Sequence, residues 1–154
     1  MKRKELTIYL QRIFENHNLS RKHSKISAKY LVKAELIEAK SHGVARLKMY
    51  CDRIKKGLIN PKPKIKIKKL STSIFHINAD NSIGFVAADL GIQYAIKSAK
   101  KNGIGLVAIK KSGHYGLSSF YAEQAVKKKI SSILFYKCSS SISSSWCKKI
   151  IIWY

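Results

Sequence analysis

Apolar residues in the first sixty positions recur every three or four residues, a spacing typical of amphipathic helices. The first such stripe covers 4–16. The second starts after Ser20, a residue type favoured as an N-cap, and runs to about Lys40. The third is capped by Ser41 and stops at Gly57, since glycine commonly ends a helix. The sequence therefore predicts three N-terminal helices.

After residue 60 the pattern alternates between short apolar runs and longer periodic segments. Strands are predicted at 64–68, 73–77, 104–109 and 130–136, a turn at Asp80-Asn81, and helices at 84–102 and 117–128. Alternation of this kind predicts an α/β fold. We expect N-terminal helices followed by a partial mixed sheet with covering helices.

The regular pattern fails after residue 137. Serine dominates 139–145, and the last residues are apolar with nothing obvious to pack on. The expected organisation is an N-terminal helical segment at 1–60, a partial α/β domain at 61–137, and a degraded or frameshifted tail at 138–154.

Lysine dominates the charge of the chain, which is +23 with neutral histidines. A small nucleic-acid-binding protein is one interpretation of this excess. The alternative is that the lysines lie on a solvent-exposed surface and accumulated because the genome favours A/T-rich codons. Such a surface would bind polyanions only weakly and without specificity. No segment has the pattern of a signal peptide or of a membrane span. The three cysteines lack the spacing of a metal site, and we expect their thiols to be reduced. We therefore expect a cytoplasmic protein.

The first candidate motif places His42 after Ser41 and four residues before Arg46. On a helix, Arg46 would share a face with His42, and Tyr50 would follow one turn later. Arginine can hold a carboxylate with two hydrogen bonds, and histidine exchanges protons near neutral pH. The alternative is structural: a serine cap, a surface histidine and a solvated arginine.

The second candidate motif is Ser112-Gly113-His114-Tyr115-Gly116, directly after a predicted strand. Ligands of α/β folds collect at the carboxyl ends of strands, and flanking glycines allow a tight loop. His114 is therefore a second candidate, and the alternative is a turn histidine without a role. With His42 it makes two possible metal ligands and no third at usable spacing, so no metal site is predicted.

These motifs resemble the malate/L-lactate dehydrogenase family of the non-Rossmann type, which includes ureidoglycolate and sulfolactate dehydrogenases and 2,3-diketo-gulonate reductases. The resemblance covers residues 1 to about 137 in order. The segments that carry it are Ala34–Ala39, Ser41–Leu47, Arg53-Ile54 with Gly57 and Pro61, Ala99–Gly105, and Ser112–Gly116 with Tyr121-Ala122.

The resemblance implies hydride transfer between NAD or NADP and a small 2-hydroxy or 2-keto acid, by a homodimer. It implies that His42 is a proton donor and acceptor, with His114 also at the active centre. Arg46 would hold the substrate carboxylate, and Ser41 and Tyr50 would line the pocket. The fold it implies is a truncated version of the family's α/β arrangement.

The chain departs from the family after residue 137. Cys138–Ile142, including Ser139 as a possible cofactor contact, and Trp146–Lys149 look like altered family segments. Ile152-Trp153-Tyr154 followed by a stop can be encoded by bases that read Tyr-Gly-Thr-Asn one position later, which is the family's next motif. We therefore expect an N-terminal fragment with little activity alone; the alternatives are a lysine-rich nucleic-acid-binding protein or a non-functional product of a frameshifted gene.

Overall fold

The computed structural model describes residues 2–136 and the backbone of a strand at 149–153. Its helices are α1 (Arg3–Asn16), α2 (Arg21–Leu36), α3 (Leu47–Lys55), α4 (Gly84–Asn102) and α5 (Ser119–Val126), with two 3-10 turns at Lys40–His42 and Val44–Arg46. Its strands are β1 (Lys66–Lys69), β2 (Ile74–Ser82), β3 (Gly105–Ser112), β4 (Ser132–Tyr136) and β5 (Lys149–Trp153).

The strands form one mixed sheet in the order β1-β2-β3-β5-β4. β2 and β3 are parallel and are connected through α4, whereas the other neighbours are antiparallel. The predicted α/β class with a mixed sheet is confirmed. The parallel β2–β3 pair matters most for the site, because the loop with His114 leaves the carboxyl end of β3.

The hydrophobic core joins the N-terminal helices to the sheet through α4. Helix α4 is apolar enough to bury eleven of its residues, and it ends at Gly103, whose φ of 81° suits glycine. Among the described helices, none is long and apolar enough to cross a membrane. The largest fully buried side chains are Tyr30, Tyr50, Tyr121, Phe14, Phe85, Leu10, Leu31, Ile59, Ile77, Ile83 and Ile92.

Helix α2 ends four residues before the predicted end at Lys40. Glu38 takes a left-handed φ of 59°, and the N–H groups of Glu38 and Ala39 donate to the carbonyls of Glu35 and Ala34 at 3.1 and 3.0 Å. These two bonds are the arrangement that usually ends a helix at glycine. The sequence carries no glycine there, so the end of α2 was predicted wrongly.

The predicted third helix does not start at Ser41. Two 3-10 turns are separated by Gly43, whose φ of −88° and ψ of −146° are not helical, and α3 begins only at Leu47. Ser41 therefore caps no α-helix. The prediction that His42 and Arg46 share a helical face was wrong, because the chain changes direction between them.

Strand β2 continues through the predicted turn at Asp80-Asn81. Both residues have left-handed φ angles, of 51° and 55°, and the pairing with β3 shifts register between Asn78 and Ser82. The Asp80 carboxylate accepts hydrogen bonds from the Asn60 side chain at 3.0 Å and from the Lys64 N–H at 2.9 Å. The predicted turn was therefore wrong: the two left-handed residues make an irregularity within the strand and do not end it.

The apolar end of the chain was expected to have no packing partner, and this was wrong for 149–153. The backbone of β5 lies between β3 and β4 and pairs with both, with Leu106 opposite Ile152 and Ile133 opposite Ile152. Pairing of this kind is non-local, so no pattern within the tail could reveal it.

Candidate active site

The two candidate histidines are neighbours in the structure, as the family resemblance implied. The ring centroids of His42 and His114 are 5.7 Å apart, with 30° between the ring planes. His42 is half-buried and His114 is exposed. Residues 72 positions apart in the chain therefore meet at one accessible place, where both rings can reach a bound molecule.

The Nδ1 atom of His114 is held by two groups. The Tyr50 hydroxyl lies 2.7 Å from it, and the Gly116 N–H donates to it at 3.3 Å. A backbone N–H can only donate, so Nδ1 acts as an acceptor here. The neutral ring then carries its proton on Nε2, which fixes the tautomer of His114.

Tyr50 is suited to donate that bond because its hydroxyl stays protonated. Burial raises the pKa of Tyr50 well above its ordinary value, and the opposing effects of Arg46 and Arg53 are smaller. The side chain is 1% exposed, and its ring packs 5.1 Å from that of Phe85. Tyr50 is thus a rigid partner for His114.

Ser41, His42 and Arg46 are connected through short hydrogen bonds. The Ser41 hydroxyl lies 3.0 Å from His42 Nδ1, and Arg46 Nε donates to the Ser41 carbonyl at 2.6 Å. Arg46 and Ser41 are both exposed. The structure thus brings all five predicted residues into one chain of contacts, from Arg46 through Ser41, His42 and His114 to Tyr50.

Two glycines and one glutamate support this site; sequence reasoning identified Gly116 as a glycine of the histidine loop but missed Gly84 and Glu35. A Cβ on Gly84 would overlap the carbonyl oxygens of Gly113 and His114, so α4 begins directly against the histidine loop. Gly116 has a φ of 78° and lies against the ring of Phe85. Glu35 Oε2 accepts a hydrogen bond from the Val44 N–H at 3.1 Å. These contacts join distant segments, and no local pattern signals them.

Ser139, the predicted cofactor contact, lies outside the described residues. Within the described part of the chain, no three His, Cys, Asp or Glu side chains are grouped so that they could hold a metal ion. The described site is therefore built from two imidazoles, a phenol, a serine hydroxyl and a guanidinium.

A family model described as malate/L-lactate dehydrogenase matches residues 1–149. The NAD(+)-dependent ureidoglycolate dehydrogenase of Escherichia coli K12 is 35% identical over 122 residues, covering 77% of this chain and 35% of that protein. L-sulfolactate dehydrogenase of Methanocaldococcus jannaschii is 39% identical over 105 residues, covering 68% and 30%. The chain thus spans about a third of the length of these relatives.

A solved structure gives the same result in three dimensions. Malate dehydrogenase from Pyrococcus horikoshii OT3 superposes with a TM-score of 0.86 at 32% identity, covering 93% of this chain and 41% of that one. The family match and the structural match each cover more than nine tenths of this chain. This chain belongs to the malate/L-lactate dehydrogenase family.

Proposed function

We propose that this chain carries the substrate-binding and proton-transfer groups of an oxidoreductase that moves a hydride between NAD or NADP and a small 2-hydroxy or 2-keto acid. The observation that carries the proposal is the 5.7 Å approach of the His42 and His114 rings beside the turn that bears Arg46. The family membership and the relatives that act on malate and sulfolactate support it.

Each side chain has a role in this proposal. Arg46 is exposed, and its guanidinium can hold the substrate carboxylate with two parallel hydrogen bonds. His42 donates a proton to the keto oxygen as it becomes a hydroxyl, and takes it back in the reverse direction. Because Nδ1 of His42 is bonded to Ser41, we assign this exchange to Nε2.

His114 is the second donor in this proposal, and the buried Tyr50 holds it in place. With Nδ1 occupied, His114 presents Nε2–H as a donor that can orient the same substrate oxygen. The Tyr50 hydroxyl holds that tautomer. Two donors converging on one oxygen stabilise the charge that develops there during reduction.

The donor set also fits a nicotinamide-dependent reaction. The five side chains can bind an anion and donate protons, but none of them transfers electrons. The nicotinamide, when bound, would supply the hydride transfer. Ser139 is the residue of this chain that we propose to contact the cofactor. Because the chain spans about a third of its relatives' length, we expect weak cofactor binding and little turnover by the chain alone.

We also propose that the protein assembles as a homodimer and works in the cytoplasm. Size-exclusion chromatography with light scattering measures the first, since a monomeric mass across micromolar concentrations contradicts it. Imaging of the tagged protein in its cell measures the second, and a membrane or extracellular location contradicts it.

Substrate binding tests the main proposal without requiring turnover. The full chain is titrated with pyruvate while the imidazole signals of His42 and His114 are followed by NMR. Both sets of signals should shift with saturation, and Arg46→Lys should weaken binding by about tenfold, because lysine lacks the two-pronged geometry of arginine. Arg12→Lys, at an exposed arginine on α1, is the matched control and should bind as the wild type does.

Two results would contradict the proposal. One is an absence of saturable shifts in either imidazole at millimolar pyruvate. The other is an Arg46→Lys variant that binds pyruvate as tightly as Arg12→Lys does. If oxidation of NADH or NADPH with pyruvate is detected, it should be lost in His42→Ala, and activity that persists there excludes His42 as the proton donor.

A further inference from the structure

Glu35 lies in the last turn of α2, and its carboxylate reaches the turn that carries His42 and Arg46. Its Oε2 atom accepts a hydrogen bond from the Val44 N–H at 3.1 Å. Val44 opens the second 3-10 turn, and the first N–H groups of a helical turn have no acceptor within it. The Glu35 carboxylate therefore caps the second 3-10 turn, whereas Ser41 was predicted to cap an α-helix that does not begin there.

The contact is tight because the residue before Val44 is a glycine. A Cβ at Gly43 would overlap Oε2 of Glu35, and it would also lie 3.4 Å from the Glu35 backbone nitrogen. Gly43 is buried and Glu35 is half-buried. The turn thus rests directly on the end of α2, and a Cβ at 43 would displace the Glu35 carboxylate from its place at the Val44 N–H.

The other hydrogen bonds of this turn are local. The His42 N–H donates to the Ala39 carbonyl at 2.8 Å, and the Arg46 N–H donates to the Gly43 carbonyl at 3.0 Å. Local bonds shape a turn but do not fix its place relative to α2. The bond from Val44 to Glu35 spans nine residues and connects the turn to the body of the helix.

We infer that Glu35 is a positioning residue for the active site. By holding the Val44 N–H, it keeps the turn against α2, so that His42 stays beside the His114 ring and Arg46 stays beside Ser41. It acts through the backbone and contacts no substrate. The effect of Glu35 on substrate binding rests on the proposed function. Its effect on the position of the turn can be measured separately.

The experiment uses the full chain with Glu35→Ala and Glu35→Gln, and Glu123→Gln as the matched control. Glu123 is also a half-buried glutamate, but it pairs with Lys33 and Lys127 and contacts none of the site residues described above. The readouts are hydrogen exchange of the Val44 amide, the imidazole signals of His42, and pyruvate affinity.

Glu35→Ala should speed exchange of the Val44 amide by about tenfold, because the amide loses a charged acceptor. The His42 signals should move, and pyruvate affinity should fall by a similar factor. Glu35→Gln keeps an acceptor oxygen at the same reach, so it should restore most of the protection and most of the affinity. Glu123→Gln should lower thermal stability and leave all three readouts unchanged.

Unchanged Val44 exchange in Glu35→Ala overturns the inference, and so does an equal change in Glu123→Gln. If Glu35→Ala does not fold, exchange of the Val44 amide in Glu35→Gln is the deciding readout. The glutamine oxygen should still accept the Val44 N–H, so a Val44 amide as unprotected as in the unfolded chain overturns the inference. Absence of pyruvate binding in the wild type contradicts the proposed function, while Val44 exchange still tests the position of the turn.

Discussion

Gly84 places the histidine loop, and its replacement by alanine tests how closely α4 and that loop must approach. An added Cβ would overlap the carbonyl oxygens of Gly113 and His114. These are backbone atoms, so no side-chain rotation can relieve the overlap. Either the start of α4 or the loop must shift, and His114 would move relative to His42.

The magnitude follows from two opposing effects. Overpacking of a closed contact destabilises a protein by about 1–3 kcal/mol. Alanine favours a helix interior over glycine by at most about 1 kcal/mol, and by less at the first residue of α4. A net loss of roughly 2 kcal/mol remains. For a domain of this size, 1 kcal/mol shifts Tm by about 2–4 °C, so the Tm of Gly84→Ala should fall by about 4–8 °C.

The assay combines thermal unfolding with the imidazole NMR signals of His42 and His114. Gly57→Ala is the matched control, because Gly57 has a φ of 69° with no atom within 4 Å of an added Cβ. Gly57→Ala should lose about 1–2 kcal/mol of stability, because alanine is strained at this positive φ. It should leave the NMR signals of both imidazoles unchanged. Gly84→Ala should perturb the His114 signals and lower Tm together.

The reasoning would be refuted by a Gly84→Ala variant with the Tm of the wild type and unaltered His114 signals. It would also fail if Gly57→Ala moved the imidazole signals as much, since the site would then respond to any loss of stability.

Three further predictions concern single groups. Tyr50→Phe should keep the fold but remove the shorter of the two hydrogen bonds to His114 Nδ1, so the ¹⁵N signal of that nitrogen should shift while the Gly116 N–H keeps the tautomer; an unchanged Nδ1 signal contradicts this. The pKa of Glu123 is lowered to about 2 by hydrogen bonds from Lys127 and Lys33, so its stabilising contribution is present above its unfolded pKa of 4.5 and is lost as the pH falls toward 2. The Tm difference between the wild type and Glu123→Gln should therefore shrink over that interval, and a difference that is constant from pH 6 to about 2 argues against the linkage. Binding to double-stranded DNA should be weak, independent of base sequence and lost near physiological salt, as expected for lysine excess alone; salt-resistant binding measured by fluorescence anisotropy would instead favour a nucleic-acid-binding role.

Much of the fold could be predicted because its elements are specified locally. Helix α4 follows from apolar periodicity and a terminal glycine, and β3 from a short apolar run. The types of residue needed for the chemistry were also visible, because His42, Arg46 and His114 lie in short motifs. Their meeting was an inference from family resemblance, which periodicity could not have supplied.

What the sequence by itself determined was which segments are helical or extended and which side chains can carry proton and anion chemistry, because those properties depend on neighbours a few residues apart. Only the tertiary structure decided that Glu35 caps the second 3-10 turn, that Gly84 lies against the His114 loop, and that β5 pairs between β3 and β4. Each of these contacts joins segments distant in the chain, so it depends on how the core packs and leaves no periodic trace in the sequence.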